Sequence, residues 1–437
     1  MFQTLKNALK IKEIRLKILY TLAMLVVIRI GSQLPVPGID RNYFSEWFSQ
    51  QTGDAFNFFD AFTGGSFLNM SIFALNITPY ITSSIIMQLL TIAIPKLEEM
   101  QKDGEDGRKK IATITRYVTI ALSLIESIAM VIGFRNQNII VDKSFLTALT
   151  CVVALTAGSA FLMWIGESIT EHGVGNGISI VLVINIISRI PSDLAALYEQ
   201  FVKGKNVAPA ILASAIIIAI ILIMIVMVVI LNAGTRKINV QYAQKMQGRR
   251  LVGGNSSNIP LKVNTAGVIP IIFASSIMQF PVIICTLLKV QATGFWGGVL
   301  KGLTSSNWCN PKQPIYSIGL LVYIILVIAF AYFYTSITFN PIEVANNMKR
   351  QGGFIPGIRP GKPTVDYLKK VLNYIIFIGA VGLTIICVIP FIFNGIFGAS
   401  VTFGGTSLII IVSVILETMK QIESQMLVRN YKGFLND

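Results

Sequence analysis

Charge is scarce in this chain: 13% of its 437 residues are Asp, Glu, Lys or Arg, where a soluble domain carries roughly 25%. Histidine is scarcer still, with His172 alone. No H-E-x-x-H or G-x-S-x-G run occurs, so zinc hydrolysis and nucleophile-elbow chemistry have no residues to act through. The four cysteines include no C-x-x-C pair. Cys151, Cys285 and Cys387 fall inside apolar runs, and Cys309 on a connecting segment has no external partner, which argues against a disulfide framework or a zinc site. G-I-R-P-G-K-P-T at 357–364 fails as a Walker A loop, because three residues separate Gly357 from Gly361 and Pro363 follows Lys362. The G-V-G-N-G run at 173–177 is no dinucleotide fingerprint and reads as a tight turn that opens a helix. Neither a cofactor nor a metal is expected, and no catalytic residue is assigned.

What the chain has in quantity is apolar surface, at 53% of its residues. Ten stretches of roughly span length stand out, near 16–34, 72–94, 112–133, 147–166, 177–190, 210–231, 265–288, 315–338, 371–390 and 403–419. The fifth is too short to cross alone. Runs of this length are helical, which makes the fold class an all-α polytopic membrane protein rather than a barrel. If the N-terminus is cytosolic, the segments on that side hold 26 of the 36 Lys and Arg residues. The positive-inside rule then places both termini in the cytosol. The same charges would meet anionic lipid. The basic start (Lys6, Lys10, Lys12, Arg15, Lys17) imitates a signal peptide but is followed by no cleavage site, and reads as leading into a retained first helix.

The spans divide five and five. Residues 1–190 form one half, 191–209 an outer hinge segment with Pro191, Gly204 and Pro209, 210–420 the second half, and 421–437 a cytosolic tail. An odd number of crossings per half gives the halves opposite orientations, the arithmetic of an inverted repeat. The second span of each half is unusually polar: Asn76, Thr78, Pro79, Thr82, Ser83, Ser84 and Gln88 in one, Asn264, Thr265, Ser275, Ser276 and Gln279 with Pro270 and Pro281 in the other. Hydroxyls there can satisfy carbonyls that proline frees, so these helices are expected to face protein or a water-filled cavity. The aromatic stretch at 55–69 is too short to cross and reads as re-entrant or interfacial. Deep ionisable groups, the mark of ion-coupled transport, come down to Glu126, ten residues past Arg116 or about 15 Å along a helix. Arg29, Glu167 and Glu417 lie near span ends, within snorkelling reach of the interface.

Several runs point to a family. R-I-G-S-Q-L-P-V-P-G-I-D (29–40), S-I-F-A-L-N-I-T-P-Y-I-T-S-S-I-I-M-Q-L-L (71–90), M-W-I-G-E-S-I-T-E-H-G-V-G-N-G-I-S (163–179), Q-G-R-R (247–250), P-L-K-V-N-T-A-G-V-I-P (260–270), F-I-P-G-I-R-P-G (354–361) and F-G-G-T-S-L-I-I (403–410) resemble the SecY family, in order along essentially the whole chain. Its bacterial members are the channel-forming subunits of the Sec protein translocase. The resemblance implies a ten-helix clamshell of two pseudo-symmetric halves that moves unfolded polypeptides across the bacterial cytoplasmic membrane and releases membrane segments sideways. It implies no enzymatic activity, with energy supplied by a partner ATPase or the ribosome. By motif matching, the pore ring becomes Ile77, Ile81, Ile178, Leu182, Ile272 and Ile410. The pairs Ile77/Ile81 and Ile178/Leu182 are spaced i, i+4 and are expected to share a helix face. The plug maps to Phe56, Phe58, Phe59, Asp60, Phe62, Gly64 and Gly65. The lateral gate maps to Thr82, Ser83, Asn264, Ser275, Ser276 and Phe280; Glu126 departs from the family, which places a neutral polar residue there, and is expected to face the gate near Thr82 or Ser83 and Asn264. Arg249, Arg250 and Arg359 fall on the docking arms for the ribosome, through RNA phosphates, and for the motor ATPase SecA. The implied partners are SecE, SecG, SecA, the ribosome, signal peptides and nascent chains. The competing reading is an inverted-repeat secondary transporter, which would line its centre with ion or substrate ligands.

Overall fold

Each apolar stretch becomes a helix, but the two polar ones start late. The computed structural model describes residues 2–41, 43–44, 46, 63–137, 139–140, 142, 144–203, 207–242, 245–247, 250–252, 256–287, 294–309, 313–397 and 405–433. In the N-terminal half a short helix α1 (Phe2–Lys10) leads into α2 (Lys12–Gly31), α3 (Thr78–Ala93), α4 (Pro95–Lys102), α5 (Glu105–Asn136), α6 (Phe145–His172) and α7 (Gly177–Phe201). The second half holds α8 (Val207–Ala233), strands β1 (Thr235–Tyr242), β2 (Lys245–Gln247), β3 (Arg250–Val252) and β4 (Ser256–Lys262), and α9 (Ile269–Leu287). It continues through α10 (Phe295–Leu303), α11 (Ile318–Thr338), α12 (Pro341–Arg350), β5 (Gly353–Phe354), α13 (Lys362–Phe397) and α14 (Gly405–Gly433).

Among the described residues six helices are long and apolar enough to cross a bilayer by themselves, and a seventh if α3 and α4, bent 102° apart, count as one. The others fall short for visible reasons. Helix α2 carries Lys12, Glu13, Arg15, Lys17 and Arg29, and α14 turns charged from Glu417 onward. Two expectations need correction. The fifth span is not short: α7 runs 25 residues, straight through Pro191, so the segment read as a hinge is helical to Phe201. In the second span the helix begins only at Thr78, with Pro79 in its first turn, where a missing N–H costs nothing.

Residues 63–77 pack as turns beneath that late start. Their backbone is stitched to the loop after α2 by Val36 N–H to the Met70 carbonyl (2.8 Å) and Ile72 N–H to the Leu34 carbonyl (2.9 Å). Helix α6 presses against them because Gly158 has no side chain; a Cβ there would lie 2.0 Å from the Ile72 carbonyl oxygen. The 173–177 run is a tight turn as read: Gly175 has φ +82°, and Asn176 caps α7 by accepting from the Ser179 N–H at 3.4 Å. That turn meets Ala8, Ile14 and Ile422 in one small core, which gathers α1, α2, α14 and the α6–α7 turn at one end of the bundle.

The two basic loops, read separately in the sequence, fold as one unit. Strand β1 pairs antiparallel with β4 and with β5, giving the order β4-β1-β5. Ile238, Val240 and Leu261 of the first loop share a core with Ala345, Met348, Ile355 and Leu368 of the second.

Candidate functional site

Five of the six aliphatic residues matched to a ring line one cavity of about 720 Å³: Ile81, Ile178, Leu182, Ile272 and Ile410. They come from α3, α7, α9 and α14, so both halves contribute. Leu182 and Ile410 are nearly buried and pack with Ile81 and Val268. Val268, the residue before α9, was not anticipated, and no helical spacing marks it because it lies outside the helix.

Ile77 does not line the cavity. It is fully buried among Ile28, Phe73, Leu162, Ile165 and Val181. The shared-face expectation for Ile77 and Ile81 assumed continuous helix, and Ile77 is instead the residue before α3, with φ −92° and ψ 5°. The same spacing holds for Ile178 and Leu182, which both lie inside α7 and both line the cavity.

One end of the cavity is polar and charged, with Arg116, Glu167, Glu171, Lys262, Glu417 and Lys420 in its wall. Glu167 is not a snorkelling residue: its Oε1 lies 2.8 Å from Arg116 Nε, joining α5 to α6 at the cavity wall. Arg29 likewise turns inward, its Nη1 donating to the Gly64 carbonyl at 3.5 Å.

The residues matched to a lateral gate do not form one cluster. Ser83, buried on α3, donates to the Tyr80 carbonyl at 3.0 Å and is hydrogen-bonded to Thr119 on α5. Thr82, half-buried, donates to the Thr78 carbonyl at 3.0 Å. Glu126 lies seven residues past Thr119, about 10 Å farther along the helix, so it is not beside Thr82 or Ser83. It is half-buried and has no hydrogen-bond or ion-pair partner among the described residues. On α9, Ser275 is buried and Ser276 exposed; the Phe280 side chain lies outside the described residues. Helix α5 does pack against α9, which brings the two halves together along this edge.

Asn264 instead faces its own half. Its Nδ2 donates to Asn232 Oδ1 at 2.9 Å, and Asn232 Nδ2 donates to Ser413 Oγ at 3.0 Å. In the first half Asn185 Nδ2 donates to Asn76 Oδ1 at 3.0 Å, and Ser159 Oγ donates to the Asn76 carbonyl at 3.2 Å. Nothing in the periodicity distinguished these asparagines from other polar residues of their spans.

Of the plug residues, Phe56, Phe58, Phe59, Asp60 and Phe62 lie outside the described residues. Gly64 and Gly65 have φ +66° and +82°, the left-handed region that glycine tolerates. The Gly64 carbonyl also accepts from Ser188 Oγ at 3.3 Å, and a Cβ on Gly64 would lie 2.7 Å from the Asn185 carbonyl oxygen. Of the docking arginines, Arg249 is outside the described residues and Arg250 opens β3, its backbone opposite Gln247. Arg359 is exposed on a turn between Gly357 (φ +83°) and Gly361 (φ +110°), its carbonyl held by Thr364 Oγ1 at 2.9 Å.

A family model described as SecY matches residues 71–419. The protein translocase subunit SecY of Streptomyces scabiei is 43% identical over 449 aligned positions, covering 100% of both chains. That of Bacillus licheniformis is 42% identical over 444 positions, again covering 100% of both. Among solved structures, a protein-conducting channel is similar with a TM-score of 0.61 at 18% identity, over 94% of this chain and 93% of the other. Sec61 in the canine ribosome-channel complex from the endoplasmic reticulum gives a TM-score of 0.59 at 16% identity, over 94% and 93%. At such identities the structural likeness speaks for the fold.

Proposed function

This chain belongs to the SecY family, and from that premise we propose how it works as a channel. It is an all-α polytopic membrane protein of ten spanning helices in two halves, and it is a protein-conducting translocation channel. The observation that carries the mechanism is the convergence of Ile81, Ile178, Leu182, Ile272 and Ile410 on one cavity. Aliphatic side chains offer an ion no ligands, and a narrow apolar constriction sheds water. They also make no specific bonds, so they yield around a polypeptide of any sequence. A secondary transporter would need ligands at that position, and these five side chains supply none.

The charged end of the cavity is the cytosolic mouth in this reading, since it adjoins the two basic arms and the packed ends of α1 and α14. Both termini are then cytosolic, in a bacterial cytoplasmic membrane. The plug is the 55–69 segment, anchored at its far end by the bonds on Gly64. The lateral exit runs along the α3 and α5 edge against α9 and α11. Arg249, Arg250 and Arg359 dock SecA or the ribosome, through phosphate contacts in the ribosomal case. SecE braces the halves and SecG accompanies them, anionic lipid meets the basic surface, and a signal peptide opens the exit. The channel does no chemistry; the partner supplies the energy.

Reconstitution with SecE, SecG and SecA tests this. The chain is expected to give ATP-dependent protection of a presecretory protein from protease, and failure to protect sinks the reading. Arg359→Glu is expected to lower that protection about tenfold or more, by repelling the docking partner.

A further inference from the structure

The two arms share one sheet and one core, and their root is held in an unusual way. Strand β1 starts at Thr235, three residues after Asn232; β4 ends at Lys262, two residues before Asn264. The arm root is therefore clamped by the Asn264–Asn232 hydrogen bond of 2.9 Å, alongside a Val263 N–H to Gly234 carbonyl bond of 2.9 Å. Asn232 passes the connection on to Ser413 at 3.0 Å. Ser413 lies three residues after Ile410 on α14, on the same face, and both line the cavity. On the other side, Asn264 leads into Val268 and Ile272 of the same cavity.

We propose that Asn264, Asn232 and Ser413 are positioning residues that carry motion of the docked arms to the aliphatic constriction. The inference rests on the channel reading above and deepens it. A chain of three polar side chains joins the arm root to both constriction helices of the second half, α9 and α14. Its joints are of a kind that can break and re-form. Asn264 is buried, yet its Oδ1 has no partner among the described residues, so within them one side-chain bond alone holds it. All three residues border the cavity, where water or a threading chain can replace a lost partner. A force on the arms thus reaches Ile272 through the backbone and Ile410 through Ser413, and separates or draws together the helices that carry them. Contiguity of this kind supports coupling, and coupling is what the test measures.

The test uses the chain reconstituted with SecE and SecG, comparing Ser413→Ala, Ser413→Thr and Asn264→Ala with the unchanged chain. SecA affinity for the proteoliposomes is measured beside ATP-dependent protection of a presecretory protein. Ser413→Ala and Asn264→Ala are expected to keep SecA affinity within about twofold while protection falls about fivefold or more. Ser413→Thr, which keeps the hydroxyl, is expected to restore it. Unchanged protection in both alanine variants overturns the proposal. So does a parallel loss of affinity and protection, which would mean that the bonds only shape the arms. A raised resting ion leak with full protection would make them a restraint on the closed pore, and likewise overturns it. An unchanged chain that fails to protect at all sinks the channel reading, and this inference with it.

Discussion

The halves place an asparagine before the late-starting helix of each, and use it differently. Asn76 takes a left-handed backbone at φ 52° and is 1% exposed; it bonds to Asn185 on the last helix of its half and to Ser159. Asn264 is 7% exposed, borders the cavity and reaches the last helix of its half through Asn232. One sits inside packed protein, bonded to the residue whose backbone lies against Gly64, and the other borders the cavity at the arm root. The lesson is that inverted repetition preserves residue type and rank while burial sets the role. A bond with no water nearby is costly to break; one beside a cavity can be exchanged.

The comparison can be broken most sharply where the halves meet. Ile81→Ser with Ile410→Ser removes one aliphatic group from each half of the constriction. The resting leak of small ions from proteoliposomes is expected to rise about tenfold or more, because the lining becomes wettable. A leak that stays at the original level would mean that the seal lies elsewhere.

A finer contrast comes from two glycines with matching backbones. Gly64 has φ +66° and the Asn185 backbone against it, whereas Gly267 has φ +64° and open space. Gly64→Ala is expected to cost about 2–3 kcal/mol, from strain and from a clash with that backbone. Gly267→Ala carries only the conformational part, about 1 kcal/mol. Thermal unfolding of the detergent-solubilised chain measures both, and equal losses would erase the distinction between the halves.

The smallest effect is expected at Glu126, which meets neither the cavity nor any partner among the described residues. Glu126→Gln should change export by less than about twofold, in the range of a substitution that breaks no native contact. A large loss with Gln but not with Asp would show that its charge acts.

Much of this was legible before any coordinates. The ten apolar runs, their five-and-five division and the odd polarity of the second span in each half all appear in the helices, because hydropathy is summed over many residues and tolerates local error. Single positions fared less evenly. Ile178 and Leu182 reached the cavity together, whereas Ile77 did not, since helical spacing has no meaning before the helix starts. Glu126 missed Ser83 because a helix-level match says nothing of height along the axis. The Arg116–Glu167 pair, 51 positions apart, left no local trace.

Membrane class and the number of apolar runs follow from the chain alone, since lipid rejects charge and unpaired backbone wherever they occur along it. Which asparagine is packed away and which one borders the cavity, and the fusion of two basic loops into one arm, emerged in three dimensions. Those outcomes depend on contacts between residues far apart in the chain, and a contact is set by packing that no stretch of residues carries by itself.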